Sequence, residues 1–542
     1  MQQLFSSRLF LLITLIAFLY SCANRVSPTG GNKDVKPPQI KETTPTNFST
    51  NFKEKKITIA FDEFIQLKDI NKQLVISPLM EPEPKISVKK KSLIIRLPDS
   101  LKANTTYNLN FGEAITDLNE GNSIADFQYV FSTGDVLDSL FYTGKVMDAY
   151  SHKTEKAITV MLYHDQEDSL PFKKVPDYFA RTDEQGNFTI KNISPGTYKL
   201  FALNDKNNNY RCDNPQEEAI AFADSIITIP GSESRTLQLF TQAPGKLFVK
   251  KSLKETNGPV IISFSKRIAD LSWNLINQNT TIKTLNFVSQ NKDSLFIWVI
   301  DSTVDSLKLA LLNNNIPFDT VEIALKKTQS GARSEKIKNT FSFSTNLNAA
   351  TLKPNDILVV AMHNPVMSAT IEQIKLFQDS IPVKDYKIFF NDSLHRYLSV
   401  QSKWTESASY KLIAPPSVFK DVNNIVSDSI TINFNVNAVT ELGTMKTIIS
   451  GLEKGSHYVL QLVNENLQII QQMDLDGTEK HTFENITPAS YKLRLFNDTN
   501  NNKQWDNGDY WKKTQPEEFY YYPDAIQIRA NWELEINMDV KF

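Results

Sequence analysis

The side chains whose spacing could do chemistry are the oxygen-bearing ones of two Asn/Asp loops. Asp205-x-Asn207-x-Asn209-x-x-x-Asp213 recurs as Asp498-x-Asn500-x-Asn502-x-x-x-Asp506. Each puts oxygens at relative positions 1, 3, 5 and 9, positions from which an EF-hand-type loop takes calcium ligands. Calcium asks for roughly six to eight oxygens, and the match is incomplete. Position 6 holds Tyr210 or Lys503 in place of glycine, and position 12 holds Gln216 or Asp509. A Glu pair follows each loop (Glu217-Glu218 and Glu517-Glu518), so Glu217 in the first copy and Asp509 in the second are the candidates to complete the set. With neutral Asn at two positions, affinity should fall toward the ~10⁻⁴–10⁻³ M range of extracellular modules. The competing reading is a plain turn, because Asn and Asp bond their own backbone and tolerate left-handed geometry. Calcium is the one cofactor the spacing suggests.

A second candidate set is aromatic. Trp505, Tyr510, Trp511, Phe519, Tyr520, Tyr521, Tyr522 and Trp532 crowd the C-terminus. Such rings stack on sugars or grip peptides at binding surfaces, but strand alternation would bury about half of them in a core. The stretch Gly508 to Gln515 is an insertion relative to the first copy of the loop, and is expected to be exposed. Trp505, Tyr510 and Trp511 are therefore the candidate ligand-binding residues.

Enzymatic chemistry is poorly supplied. The six histidines are scattered and form no His-Glu-x-x-His zinc helix. His152-Lys-Thr-Glu155 has a metallocarboxypeptidase-like spacing but falls in a polar turn. Gly-x-Ser-x-Gly and P-loop motifs are absent. Carboxylate pairs such as Asp62-Glu63 are sequence neighbours, which a strand sends to opposite faces. The expectation is a protein that is not an enzyme.

The elements that must position these residues are legible as a duplication. Asn192 to Asn214 and Asn485 to Asn507 align with 13 of 23 positions identical, so one module is used twice. Each copy reads as strand, turn, strand and Asn/Asp loop. Elsewhere short β-rich runs, such as Lys56 to Phe61, Ser92 to Leu97 and Tyr107 to Phe111, alternate with Pro, Asn, Asp and Gly clusters. The fold class is therefore all-β, a tandem array of sandwiches. A net charge of −2 leaves no basic field for nucleic acid, and 41% hydrophobic residues exclude global disorder.

The N-terminus carries an address. Leu9 to Leu19 is an apolar run too short to span a bilayer, as in a secretory signal. Leu19-Tyr20-Ser21-Cys22 resembles the bacterial lipobox, which implies cleavage before Cys22 and lipid on its sulfur; several acyl chains suffice for stable membrane anchoring. Ala23 to Pro38 then reads as a flexible tether. The whole resembles a Bacteroidetes-type envelope lipoprotein. No acidic run follows the cysteine, which favours the periplasmic face of the outer membrane over the cell surface. Cys212 is left without an intrachain partner and stands where the other copy has Trp505, so a buried apolar role is expected.

Two family resemblances divide the mature chain. Ile59-Ala-Phe-Asp-Glu63, Leu101 to Leu109, Asp117-Leu-Asn-Glu-Gly-Asn122 and Phe131-Ser-Thr133 resemble the bacterial Ig-like domain of surface-layer-type proteins. Ala408-Ser-Tyr-Lys-Leu412 and Asp421-Val-Asn-Asn424 echo it. Thr182 to Ile190 followed by Ile193 to Leu200 resembles the prealbumin-like module, of carboxypeptidase-regulatory-like or collagen-adhesin B type. The expected order is signal peptide 1–21, lipidated Cys and tether 22–38, Ig-like 39–135, prealbumin-like 136–243, Ig-like 244–346, Ig-like 347–437 and prealbumin-like 438–542. The second Ig-like run lacks the Thr-Tyr and Asp-turn elements. Such families imply a cell-envelope scaffold or adhesion-type spacer, its partners being the membrane and envelope proteins or glycans. The other reading is a glycan- or peptide-binding accessory protein that uses the C-terminal aromatics. Oligomeric state is left open.

Overall fold

A computed structural model describes residues 34–125, 127–276, 282–300, 305–325, 340–475 and 480–541. The expected signal peptide, Cys22 and most of the expected tether lie outside the described residues. Within the described residues the regular secondary structure is almost all strand; the two α-helical turns, Ile70–Gln73 and Leu170–Lys173, have four residues each. The tandem β-sandwich array expected from the sequence is what forms.

Alternation builds the sheets. In Lys56–Phe61 the residues Ile57, Ile59 and Phe61 are buried while their neighbours are not, which is the period-two pattern of a sheet with one face on a core. The first sandwich has a four-stranded sheet in the order 40–44, 56–61, 92–96, 85–89, opposed by 75–77, 106–110 and 128–132. The third sandwich repeats the four-stranded order with 343–345, 358–362, 397–402 and 386–390. The second does so with 249–254, 260–264, 294–299 and 284–288.

One boundary differs from the sequence reading. Phe343–Thr345 pairs antiparallel with Leu358–Met362, so it opens the third sandwich and does not close the second at 346. The similar triplet Phe131-Ser-Thr133 does the opposite in the first sandwich, where it ends Gln128–Ser132, a closing strand paired with Thr106–Asn110. An apolar-Ser-Thr triplet suits an edge strand at either end of a sandwich, and only the pairing partner decides which.

The duplicated modules share a topology strand for strand. In the first, Leu140–Asp148 lies between antiparallel Asn187–Ile193 and parallel Arg235–Leu239. In the second, Gly443–Ser450 lies between Lys480–Ile486 and parallel Glu533–Asp539. Each packs on a five-stranded sheet. These are 178–181, 159–163, 196–203, 220–222 and 227–229 in the first, and 469–475, 458–463, 489–497, 519–521 and 526–528 in the second. Gly186 turns the first module's hairpin at φ +77°, where a Cβ would meet the Val146 carbonyl at 2.3 Å.

The central strands of the five-stranded sheets are buried on both faces. Every residue of Thr159–Tyr163 and of Tyr458–Val463 is buried. In the first module Val160, Leu162, Leu200 and Ala202 face the sandwich core. Met161, Tyr163, Phe201 and Leu203 face outward into a second apolar cluster. An outward sheet face this apolar needs a cover.

Candidate functional site

Part of the cover is local and part comes from the far end of the chain. Leu170, Phe172, Tyr210, Cys212 and Phe240 of the first module close over its outer sheet face, and Tyr510 of the second module completes the cluster. Tyr510 is fully buried. Its ring meets Phe172 at 5.2 Å and Phe222 at 5.5 Å, both edge-on, the geometry aromatic quadrupoles favour. Its hydroxyl donates to the Asp168 carbonyl at 2.5 Å and its backbone N–H to Gln242 Oε1 at 2.7 Å. Burial pushes the Tyr510 phenol well above its ordinary range, so it stays a donor.

The rest of the insertion follows Tyr510. Asn507 Nδ2 donates to the Thr241 carbonyl at 2.8 Å, and Gln515 Nε2 to the Phe222 carbonyl at 3.0 Å and Asp224 at 2.6 Å. Gly508 is buried against the Phe240 ring. Trp511 stacks on Phe172 at 4.8 Å yet keeps 57% of its surface exposed. The insertion expected to stand free is thus the element by which the second module docks on the first. Of the three candidate binding aromatics, only Trp511 presents a substantial face to solvent.

A second contact lies alongside. Arg494, on the strand Ala489–Asn497, is 0% exposed. Its guanidinium sits 4.4 Å from the Tyr150 ring centroid and 4.3 Å from that of Phe519. Nε donates to Gln461 Oε1, Nη2 to the Tyr150 hydroxyl and Nη1 to the Tyr521 hydroxyl, at 2.8, 2.8 and 3.0 Å. Tyr521 in turn donates to the Tyr150 carbonyl at 2.6 Å. Trp505 lies edge-on to Tyr150 at 5.1 Å, with its Nε1 bonded to the Glu517 carbonyl at 2.6 Å. A buried cation lying between aromatic faces with all three of its nitrogens hydrogen-bonded is an interaction suited to arginine. Arg494, Tyr150 and Gln242 carried no motif. The fully apolar outer face of the first module's sheet was the only signal in the sequence that something must cover it.

The two Asn/Asp loops adopt the same hydrogen-bonded form. Asp205 accepts from the N–H groups of Asn209 and Tyr210, and Asp498 from those of Asn502 and Lys503. The amide nitrogens of Asn207 and Asn209 converge on Asp213 Oδ2 at 2.7 and 2.8 Å; those of Asn500 and Asn502 converge on Asp506 Oδ2 at 2.5 and 2.6 Å. Tyr210 and Lys503 are left-handed at φ +61° and +62°, where the calcium-loop pattern has glycine. The sequence thus departs from that pattern at position 6 while the backbone keeps it.

The Glu pairs contribute one member each, and in the first copy it is Glu218. The Glu218 carboxylate accepts from the N–H groups of Lys206, Asp213 and Asn214, whereas Glu217 is exposed. Glu517 does the same for Thr499 and Asp506. Asp509 is not part of its loop; it accepts from Gln242 Nε2 and from the N–H groups of Trp511 and Lys512 in the docking insertion. Burial alone would raise the Asp509 carboxyl, but bonds from Lys512 and Gln242 hold it below its ordinary value. Among the described residues no group of three or more His, Cys, Asp or Glu side chains is arranged to hold a metal. With amide nitrogens turned onto Asp213 and Asp506, the loops as they stand fit self-closed turns. Holding a cation through the Asn residues would require those amides to turn over.

Residues 34–133 match the family of bacterial Ig-like domains. No curated protein matches the chain. Solved structures that resemble it include the S-layer protein rSbsC, at 11% identity and TM-score 0.15, with 90% of this chain and 66% of that one covered. The BcpA major pilin subunit of Bacillus cereus matches at 10% and 0.14, with 74% and 99% covered. SGBP-B of the Bacteroides ovatus mixed-linkage glucan utilization locus, solved with a heptasaccharide, matches at 11% and 0.18, with 69% and 89% covered. Likenesses this distant transfer no role.

Proposed function

We propose that the chain is a non-enzymatic, lipid-anchored protein of the cell envelope that serves as a multi-domain scaffold or spacer. The observation that carries this reading is the burial of Tyr510 in the first module. The aromatic-bearing insertion 508–515, a candidate to grip a ligand, is spent on holding the array together, as a spacer of defined form requires. The Ig-like match over 34–133 is in keeping with such a role. Cys22 is the anchor, the periplasmic face of the outer membrane the location, and envelope proteins or glycans the partners. No helix of the described residues is long and apolar enough to cross a membrane.

The second reading, a glycan- or peptide-binding accessory protein, is favoured by one observation, the exposed face of Trp511. One experiment addresses both. Cells expressing the wild type, Cys22→Ser or Trp511→Ala are labelled with a palmitate analogue, fractionated and cross-linked in the envelope. The scaffold reading expects label and membrane retention to vanish in Cys22→Ser, and cross-links to persist in Trp511→Ala. Label that survives Cys22→Ser would remove the lipid anchor from the reading, and loss of cross-links in Trp511→Ala would favour the accessory role.

A further inference from the structure

The contact around Arg494 contains a histidine placed to oppose it. His152 follows Tyr150 in the turn after Leu140–Asp148, held left-handed at φ +54° with its N–H on the Asp148 carbonyl at 2.9 Å. Its ring lies on Tyr521 of the second module, centroids 4.7 Å apart, and Tyr521 accepts from Arg494. Its Nε2 is buried without a hydrogen-bond partner. A neutral imidazole suits this place, because a protonated one would add a second cation beside Arg494, whose hydrogen-bond partners are all uncharged.

We propose that the docking of the two duplicated modules is a proton-operated latch, closed while His152 is neutral and released when it is protonated. The groups that face His152 are few. Its own element supplies Asp148 and Lys145, and the opposing module supplies Arg494 and Tyr521. Asp148 is the one group that would welcome the proton, and its Oδ1 is already committed to the N–H and hydroxyl of Ser151 at 2.8 and 2.6 Å. Burial sets His152 below its ordinary pKa of 6.5; Asp148 opposes this, and Arg494 and Lys145 reinforce it. Release removes Tyr521 and Arg494 from the ring. The docked form therefore binds fewer protons than the released form. Docking is at full strength above the released pKa, near 6.5, and weakens as pH falls below it. Each unit by which docking depresses that pKa changes the docking equilibrium up to about tenfold. What the latch exposes is the outer face of the first module's sheet, together with Tyr510, Trp505 and Phe519 of the second. The state of the anchored protein would thus report the acidity around it.

The test is small-angle scattering of the full chain in detergent from about pH 7.5 to about pH 5, across the histidine range. Wild type is compared with His152→Gln and His152→Phe, the second keeping an aromatic ring on Tyr521, and circular dichroism at each pH certifies that the sheets stay folded. The expected result is an increase in radius of gyration for wild type with a midpoint below pH 6.5, and no increase for either variant. A wild type that keeps one radius throughout overturns the latch. So does a folded His152 variant that expands with the wild-type midpoint.

Discussion

Arg494 and Tyr150, 344 residues apart, meet twice: the guanidinium lies 4.4 Å from the phenol ring and its Nη2 donates to the same phenol's hydroxyl at 2.8 Å. One belongs to the second copy of a duplicated module and the other to the first. Arg494→Met should therefore act between domains, leaving the Tyr150 hydroxyl and Gln461 with unpaired buried atoms at a cost of about 2–4 kcal/mol. Differential scanning calorimetry should show the second module's transition moving to lower temperature. A thermogram indistinguishable from wild type would mean the contact adds nothing to stability.

Tyr510 separates hydrogen bonding from packing. Tyr510→Phe removes only the bond to the Asp168 carbonyl and should weaken docking by about 1 kcal/mol. Tyr510→Ala empties its place among Phe172, Phe201 and Phe222, at about 3–5 kcal/mol. Limited proteolysis of the linking sandwiches, with cleavage rising from wild type to Phe to Ala, is the check; equal rates for the three would contradict it.

Gly508 has no room for a side chain unless Phe240 moves. A Cβ there would stand 2.8 Å from Cε1 and Cζ of Phe240, so Gly508→Ala must displace a ring packed in the outer cluster. Gly508→Ala should destabilise docking by about 1–3 kcal/mol, and Phe240→Leu in the same chain should recover part of the loss. A double-mutant cycle measures the coupling, and a coupling energy near zero would show that the two positions do not press on each other.

Cys212 should be inert in the folded chain. Burial, then the charges of Glu218, Asp213 and Asp205, push its thiol up to about 12. A thiol-reactive dye at about pH 8 should leave it unlabelled until denaturant is added. Because the folded thiol holds its proton above the ordinary value of 9.0, its contribution to stability is present below that pH and is lost between there and about 12. Rapid labelling of the native protein would refute this burial.

The Asn/Asp loops should be stabilised by their own bonds. Asp213→Ala and Asp506→Ala each strip two Asn amides of their acceptor and should cost about 1–2 kcal/mol. Adding millimolar calcium should leave the melting temperature of the wild type unchanged. A rise that Asp498→Ala abolishes would instead show that the amides turn over to hold the ion.

Much of the architecture was legible because it rests on local chemistry. The duplicated strings at 192 and 485 do form superposable strand orders, and Gly186 makes the hairpin its position demands. What escaped the sequence was decided between distant partners. Glu217 and Glu218 are equivalent in composition; which one turns inward depends on the strand that follows, Ile220–Phe222, and its pairing with 201–203. Phe343-Ser-Thr345 could edge either neighbour. The insertion at 508–515 reads as a free aromatic loop until the outer face of Thr159–Tyr163 is seen to need a cover. That face was visible as the unbroken apolar run Val160-Met-Leu-Tyr163, which lacks the polar alternation of a strand with one wet side.

The parallel pairing of first and last strands within each module has a mechanical consequence. In the first module the chain enters at Leu140 and leaves at Leu239, at opposite ends of the ladder joining Gly144–Asp148 to Arg235–Leu239. Tension applied along the chain from both sides of the module would load those rungs together in shear, whereas a hairpin pulled from its open end peels one rung at a time. Resistance to forced unfolding is set by the unfolding rate. The module is therefore wired as a strong link for a protein pulled from both ends.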